Sequence, residues 1–246
     1  MNPNRHKVDM PDQALVKLIT RRVVSQLTND QSCSGCALRT CDAGNRACDV
    51  AIAQQKIPVG VSARHAHVTQ EDLEILYGPG HQLTVYAPLY QPEAFAANET
   101  VTVVGKRMRA IEHVRILGPV RDYSQVEVAQ TEAIRLGLNP PIRDSGDLAG
   151  AEPITLVGPA GSIYLEAGAI CATRHIHMKP EQAVAFGIKE TDLLKIRIPG
   201  ERALIFENIR PKIHESYVLQ MHLDTDDSNA AGLKGGEAVE LLRDET

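Results

Sequence analysis

Two Arg-His-x-His segments, residues 64–67 and 174–177, carry the side chains of this sequence best suited to chemistry. On an extended strand residues i and i+2 project from the same face, so His65 with His67, and His175 with His177, can each offer two imidazoles to one cation at about 2.0–2.1 Å. One such pair alone reads most simply as surface or core histidines. Recurrence argues for metal. SARHAHVTQEDLEILYG (62–78) aligns with ATRHIHMKPEQAVAFG (172–187), each with Arg before the histidines and helix-start chemistry after them. A second pairing aligns VEVAQTEAIRLG (126–137) with MHLDTDDSNAAG (221–232) and sets Glu127 opposite His222 as the natural third ligands. Three protein ligands leave a position for substrate or water, which catalytic zinc needs and structural zinc does not. Mixed imidazole and carboxylate ligation suits zinc, with nickel, cobalt or iron as weaker alternatives.

Arg121 follows a Gly-Pro turn in ILGPVRDYSQVE, six residues before Glu127. A guanidinium there can fork onto phosphate oxygens beside a metal; the plainer reading is a solvated arginine at a strand end. Cys171, four residues before His175, invites a covalent thiol mechanism. Its surroundings, GAICATRH, are apolar and strand-like, so a buried structural cysteine is the expectation. The other four cysteines, Cys33, Cys36, Cys41 and Cys48, follow a C-x2-C-x4-C-x6-C spacing. Thiolates this close can surround a zinc ion or an iron–sulfur cluster, or they are reduced cysteines of a linker.

The elements that must position these groups change character along the chain. Residues 9–29 place Leu15, Ile19, Val23 and Leu27 at four-residue steps, an amphipathic helix that either packs on its own domain or docks elsewhere. From Ile57 onward short β-type runs such as IPVGVSA, TVTVVG, SIYLEA and AVELL are punctuated by Gly and Pro. Helical candidates fall at 69–76, 131–136, 179–186 and 228–233. The expected fold is mainly β (α+β): two β-barrel-like domains from an internal repeat, capped by short helices, behind the N-terminal amphipathic helix. The expected segments are a docking helix (1–30), a Cys-rich linker or small metal site (31–56), and barrel-like repeats over 57–145 and 146–246.

Composition narrows the partners. A net charge of −5 offers no general basic surface for nucleic acid, and aromatics at 4% without Trp disfavour an aromatic ligand pocket. No apolar run approaches the roughly 20 residues of a membrane span, and MNPNRHKVDM lacks a secretory signal layout, so a soluble intracellular protein is expected.

Taken together, GVSARHAHVT, RILGPVR, QVEVAQTEAIRLG, RHIHM and MHLDTDDSNAAG resemble the phosphate propanoyltransferase family, the propanediol-utilisation type of phosphotransacylase found in bacterial microcompartments. The resemblance runs from about 57 to 242. It implies two zinc ions per chain, one on His65, His67 and Glu127 and the other on His175, His177 and His222, with Arg121 binding phosphate. For coenzyme A it implies Val61, Ser62, Ala63, Arg115 and Asn229. Where many members carry a CoA-contacting lysine this chain has Met108, flanked by Lys106, Arg107 and Arg109. The implied reaction converts a short-chain acyl-CoA (propanoyl-CoA or acetyl-CoA) and phosphate to acyl phosphate and CoA by direct attack of phosphate on the thioester. A homo-oligomer packaged in a cytoplasmic microcompartment is also implied, with residues 9–29 contacting the shell or other core enzymes. The rival readings are a metal-dependent thioester or phosphoester hydrolase and a non-catalytic metal-binding shell scaffold.

Overall fold

The structure, a computed structural model, describes residues 56–242. The expected helix at 9–29 and the cluster of Cys33, Cys36, Cys41 and Cys48 lie outside the described residues. In chain order the elements begin with β1 (Lys56–Ser62), β2 (His65–His67), α1 (Gln70–Tyr77), β3 (Val85–Pro88), β4 (Phe95–Val104) and β5 (Ala110–Gly118). They continue with β6 (Gln125–Glu127), α2 (Gln130–Leu136), β7 (Ile142–Arg143), β8 (Glu152–Val157) and β9 (Ser162–Ala172). The last are β10 (His175–Met178), α3 (Pro180–Phe186), β11 (Leu194–Ile198), β12 (Leu204–Ile213), β13 (Gln220–Asp224), α4 (Thr225–Ala231) and β14 (Ala238–Leu242).

These strands close two six-strand barrels, as the patterning implied. One runs β4–β5–β2–β6–β9–β8 and returns to β4. The other runs β1–β13–β10–β12–β11–β14 and returns to β1. In both, the His-x-His strand lies parallel to one neighbour (β5 or β12) and antiparallel to the strand carrying the third candidate ligand (β6 or β13). The sequence repeat is therefore a structural repeat.

The barrels do not divide the chain at 145/146. Strand β1 pairs with β13 and β14 and buries Ile57 and Val59 in the second core, while β8 and β9 bury Ile154, Leu156, Ile163 and Ala169 in the first. The first barrel, 65–172, is thus inserted between β1 and the rest of the second. Alternation of apolar residues announces that a strand has an inward face but not which barrel that face enters, so the partition at 145/146 is corrected by the pairing.

Each candidate ligand strand runs directly into a short helix. Thr69 Oγ1 accepts from Asp72 N–H (3.1 Å) to start α1, and Glu132 Oε2 accepts from Ala129 N–H (3.0 Å) to start α2. Gln182 Oε1 accepts from Lys179 N–H (2.8 Å) before α3, and Asp224 Oδ1 from Asp227 N–H (2.8 Å) before α4. That last cap explains why α4 begins at Thr225 rather than at 228. Gly137, Gly187 and Gly232 end α2, α3 and α4 in the left-handed conformation. Leu73, Leu76, Ala133 and Leu136 join the first core, and Ala183, Phe186 and Ala231 the second, so each helix anchors the end of a ligand strand on its own barrel.

Candidate functional site

Strand register assembles two side-chain triads. His65 stands opposite Glu127 and His67 opposite Gln125 across β2 and β6; His175 stands opposite His222 and His177 opposite Gln220 across β10 and β13. Directly opposed residues share a face, so the two imidazoles and the third ligand converge in each barrel. The ligand atoms within each triad lie within 4.8 Å of one another. His65 Nε2 is 3.5 Å from Glu127 Oε2, and the rings of His175, His177 and His222 lie 4.7–4.9 Å apart between centroids.

An outer layer of hydrogen bonds aims these groups. His65 Nδ1 is 2.9 Å from the Ala63 carbonyl oxygen and His175 Nδ1 is 2.8 Å from that of Thr173, contacts that select the Nδ1–H tautomer and leave Nε2 with a lone pair. Gln125 donates from Nε2 to Glu127 Oε1 and to Ser145 Oγ, both at 2.7 Å. Its equivalent, Gln220, is buried with its amide against Gly60, where a Cβ would come within 2.9 Å of it. Tyr217 stacks on His177 at 4.1 Å between centroids. Arg64 pairs with Glu132 (2.7 Å), and Arg174 pairs with Asp227 at the matching place in the second barrel. Sequence reasoning passed over Gln125, Gln220, Glu132 and Asp227, although each pair falls at equivalent positions of the repeat.

The two triads feel one another. Burial disfavours protonation of His65, but the adjoining Glu127 carboxylate more than offsets this and raises its pKa. Burial would raise that of Glu127, yet His65 holds it well below the usual carboxylate range. Burial, then the neighbouring charges of His65 and Arg121, push His67 down to about 3. Burial also pushes His175 to about 3, His177 to about 2 and His222 to about 4. The Glu127 carboxylate acts against that depression at both His175 and His222, which places the first triad within electrostatic reach of the second. Arg121 donates from Nη1 to Tyr123 Oη (2.6 Å) and Ser145 Oγ (3.0 Å), held beside the first triad.

The donor sets fit bound cations. His177 Nδ1 and His222 Nε2 are buried without a hydrogen-bond partner, an arrangement that costs about 1–3 kcal/mol per group unless a ligand completes it. The lowered pKa values favour neutral imidazoles at His67, His175, His177 and His222 and an ionised Glu127, the states a metal requires, while at His65 a bound cation would take the place of the proton that Glu127 favours.

A family profile described as phosphate propanoyltransferase matches residues 58–234. The chain belongs to the phosphate propanoyltransferase family. It is 50% identical over 186 residues to a phosphate propanoyltransferase of Lachnoclostridium phytofermentans, covering 76% of this chain and 87% of the relative. It is 49% identical over 187 residues to that of Thermotoga maritima (76% and 89%), and 43% identical over 190 residues to that of Salmonella typhimurium (77% and 90%). Membership makes the chain an acyltransferase with a phosphotransacylase role and disfavours the hydrolase and scaffold readings.

The residues expected at coenzyme A in the phosphate propanoyltransferase family separate into those near the triads and those turned elsewhere. Val61 and Ser62 register with Leu223 and Asp224, beside the start of α4, on which Asn229 is exposed. Ala63 supplies the carbonyl that meets His65, and Arg115 registers with His65 across β5. The Arg115 guanidinium lies 4.3 Å over the Tyr86 ring and donates to the Ala97 carbonyl. Met108 is 86% exposed in a turn closed by Gly105 N–H to Arg109 C=O (2.9 Å). Of its basic neighbours, Lys106 pairs with Glu152 (2.5 Å) and Arg107 packs beside Gly137. Cys171 is buried as expected, and burial pushes its thiol up to about 11. Among the described residues no helix is long and apolar enough to cross a membrane.

Proposed function

We propose that this chain reversibly transfers a short acyl group, propanoyl or acetyl, between CoA and phosphate at a junction holding two zinc ions. The observation that carries this reading is the pair of converging triads with Arg121 beside them. His65, His67 and Glu127 would hold one ion and His175, His177 and His222 the other. Bound zinc would supply Lewis acidity and concentrated positive charge against developing oxyanions.

The chain's own groups orient the reactants. Arg121, fixed by Tyr123 and Ser145, presents a guanidinium that can pair with two phosphate oxygens. Gln125, which also donates to Ser145, holds Glu127 Oε1 in place. A phosphate oxygen adds to the thioester carbonyl carbon, the C–S bond breaks, and CoA departs as thiolate. The proton remaining on monohydrogen phosphate balances that thiolate, so no enzyme base is needed. Nor is an enzyme nucleophile: a buried Cys171 thiol with its pKa raised to about 11 is poorly suited to attack. Val61, Ser62, Ala63, Arg115 and Asn229 would bind CoA, and residues 9–29 would direct packaging in a microcompartment.

Propanoyl-CoA incubated with a thiol reagent tests the reading. CoA release that requires phosphate supports it; release without phosphate indicates a thioesterase, and no release a scaffold.

A further inference from the structure

A lysine that no motif marks supplies positive charge to the second triad. Strand β12 runs parallel to β10 with Arg210 registered to His175 and Lys212 to His177, so both cations stand on the face that carries the imidazoles. The Lys212 side chain is only 22% exposed. A partly covered cation beside a triad suited to another cation is repulsive unless an anion joins them.

Among the described residues both cations pair with the same carboxylate. Lys212 Nζ is 3.5 Å from Asp144 Oδ1, Arg210 Nη1 is 3.1 Å from Asp144 Oδ2, and Thr173 Oγ1 donates to the same carboxylate. Two cations against one carboxylate leave a net positive charge. An ammonium has three donors, and a contact of 3.5 Å is too long to be a good hydrogen bond, so Lys212 retains capacity for another acceptor. The next residue, Ser145, contacts Arg121 and Gln125 of the first barrel. The Asp144–Ser145 dipeptide therefore links a cation on one side of the junction to a cation on the other.

We infer that Lys212 faces Arg121 across an anion subsite between the triads, binds the phosphoryl group of phosphate or acyl phosphate there, and is held in place by Asp144. This rests on the acyl-transfer reading above. The phosphates of CoA lie at the far end of its pantetheine arm from the thiol, so a cation beside the triads meets the attacking phosphate instead. Asp144 is a positioning residue that yields the ammonium to the incoming anion.

Lys212→Met, Lys212→Arg and Asp144→Asn test this on the zinc-loaded chain, with KM for phosphate and for propanoyl-CoA, zinc per chain, and calorimetric binding of inorganic phosphate as readouts. Lys212→Met is expected to raise KM and Kd for phosphate at least tenfold, with zinc content unchanged and KM for propanoyl-CoA within twofold. Lys212→Arg should recover most of the loss, and Asp144→Asn should add nothing to Lys212→Met. Unchanged phosphate affinity in Lys212→Met, or equal loss of zinc in the Met and Arg variants, overturns the inference. Phosphate-independent CoA release by the wild type would overturn the acyl-transfer reading instead, and the calorimetric comparison would still decide whether Lys212 binds phosphate.

Discussion

Arg174 grips Asp227 through two parallel hydrogen bonds, Nε to Oδ2 at 2.7 Å and Nη2 to Oδ1 at 2.8 Å. This ties the residue before the second His-x-His pair to the helix that follows its third ligand. Partners bonded directly to a ligand typically carry 10- to 100-fold in metal affinity, and this pair, one bond further out, should fall at the lower end. Asp227→Ala should weaken zinc at the second triad by about tenfold and leave the first unchanged, as read by competition with a chromophoric chelator. Arg174→Lys should not substitute, because an ammonium cannot form the paired contact.

Glu127 and His222 occupy equivalent places with unlike chemistry. Each of Glu127→Ala and His222→Ala should reduce zinc from two ions toward one per chain. Turnover should fall beyond the roughly 10- to 100-fold associated with losing an outer partner. Elemental analysis alongside steady-state kinetics checks this, and a variant retaining both ions would contradict the ligand assignment.

Cys171 should be dispensable for chemistry. Cys171→Ala is expected to keep kcat within about twofold and cost about 1 kcal/mol of stability through the small cavity it leaves. Loss of turnover at unchanged zinc content would require a covalent route.

Glu99 should contribute stability that depends on pH. Its buried carboxylate accepts from Thr84 N–H and Thr84 Oγ1–H, both at 2.9 Å, and lies 3.1 Å from His81 Nε2. Burial alone would raise its pKa, but these partners lower it below the ordinary 4.5. A depressed carboxylate stabilises the fold above the unfolded-state pKa, and the contribution fades as pH falls through the folded-state value. Glu99→Gln should therefore be less stable than wild type by about 1–3 kcal/mol at pH 7. The gap should shrink below about pH 4, as urea titrations of both proteins at each pH would show.

The convergence of the two triads was the most legible part of the sequence. His65, His67, His175 and His177 declare themselves because side chains two apart on a strand must share a face, and the repeat then singles out Glu127 and His222. Gln125 and Gln220 were less visible because a buried amide in a strand has no special spacing, yet QVE (125–127) and QMH (220–222) match residue for residue in position, each Gln standing opposite the second histidine of its barrel. Lys212 and Arg210 look like solvent-facing charges on an alternating strand, and only the pairing of β12 with β10 brings them beside imidazoles. The membership of β1 was hidden for the same reason: which barrel a strand closes depends on pairing across more than 150 residues.

The pairing of β1 with β13 and β14 has a consequence for biosynthesis. Residues 65–172 can close their barrel as soon as they leave the ribosome, but β1 emerges before them and has no partner until residues near 220 have been made. At about 5–20 residues per second that wait lasts roughly ten to thirty seconds. A β-strand with an apolar face and unpaired backbone edges is vulnerable throughout that time. The second triad, whose His222 lies on the strand that β1 completes, is the later of the two to form. Nascent chains should thus assemble the first triad before the second.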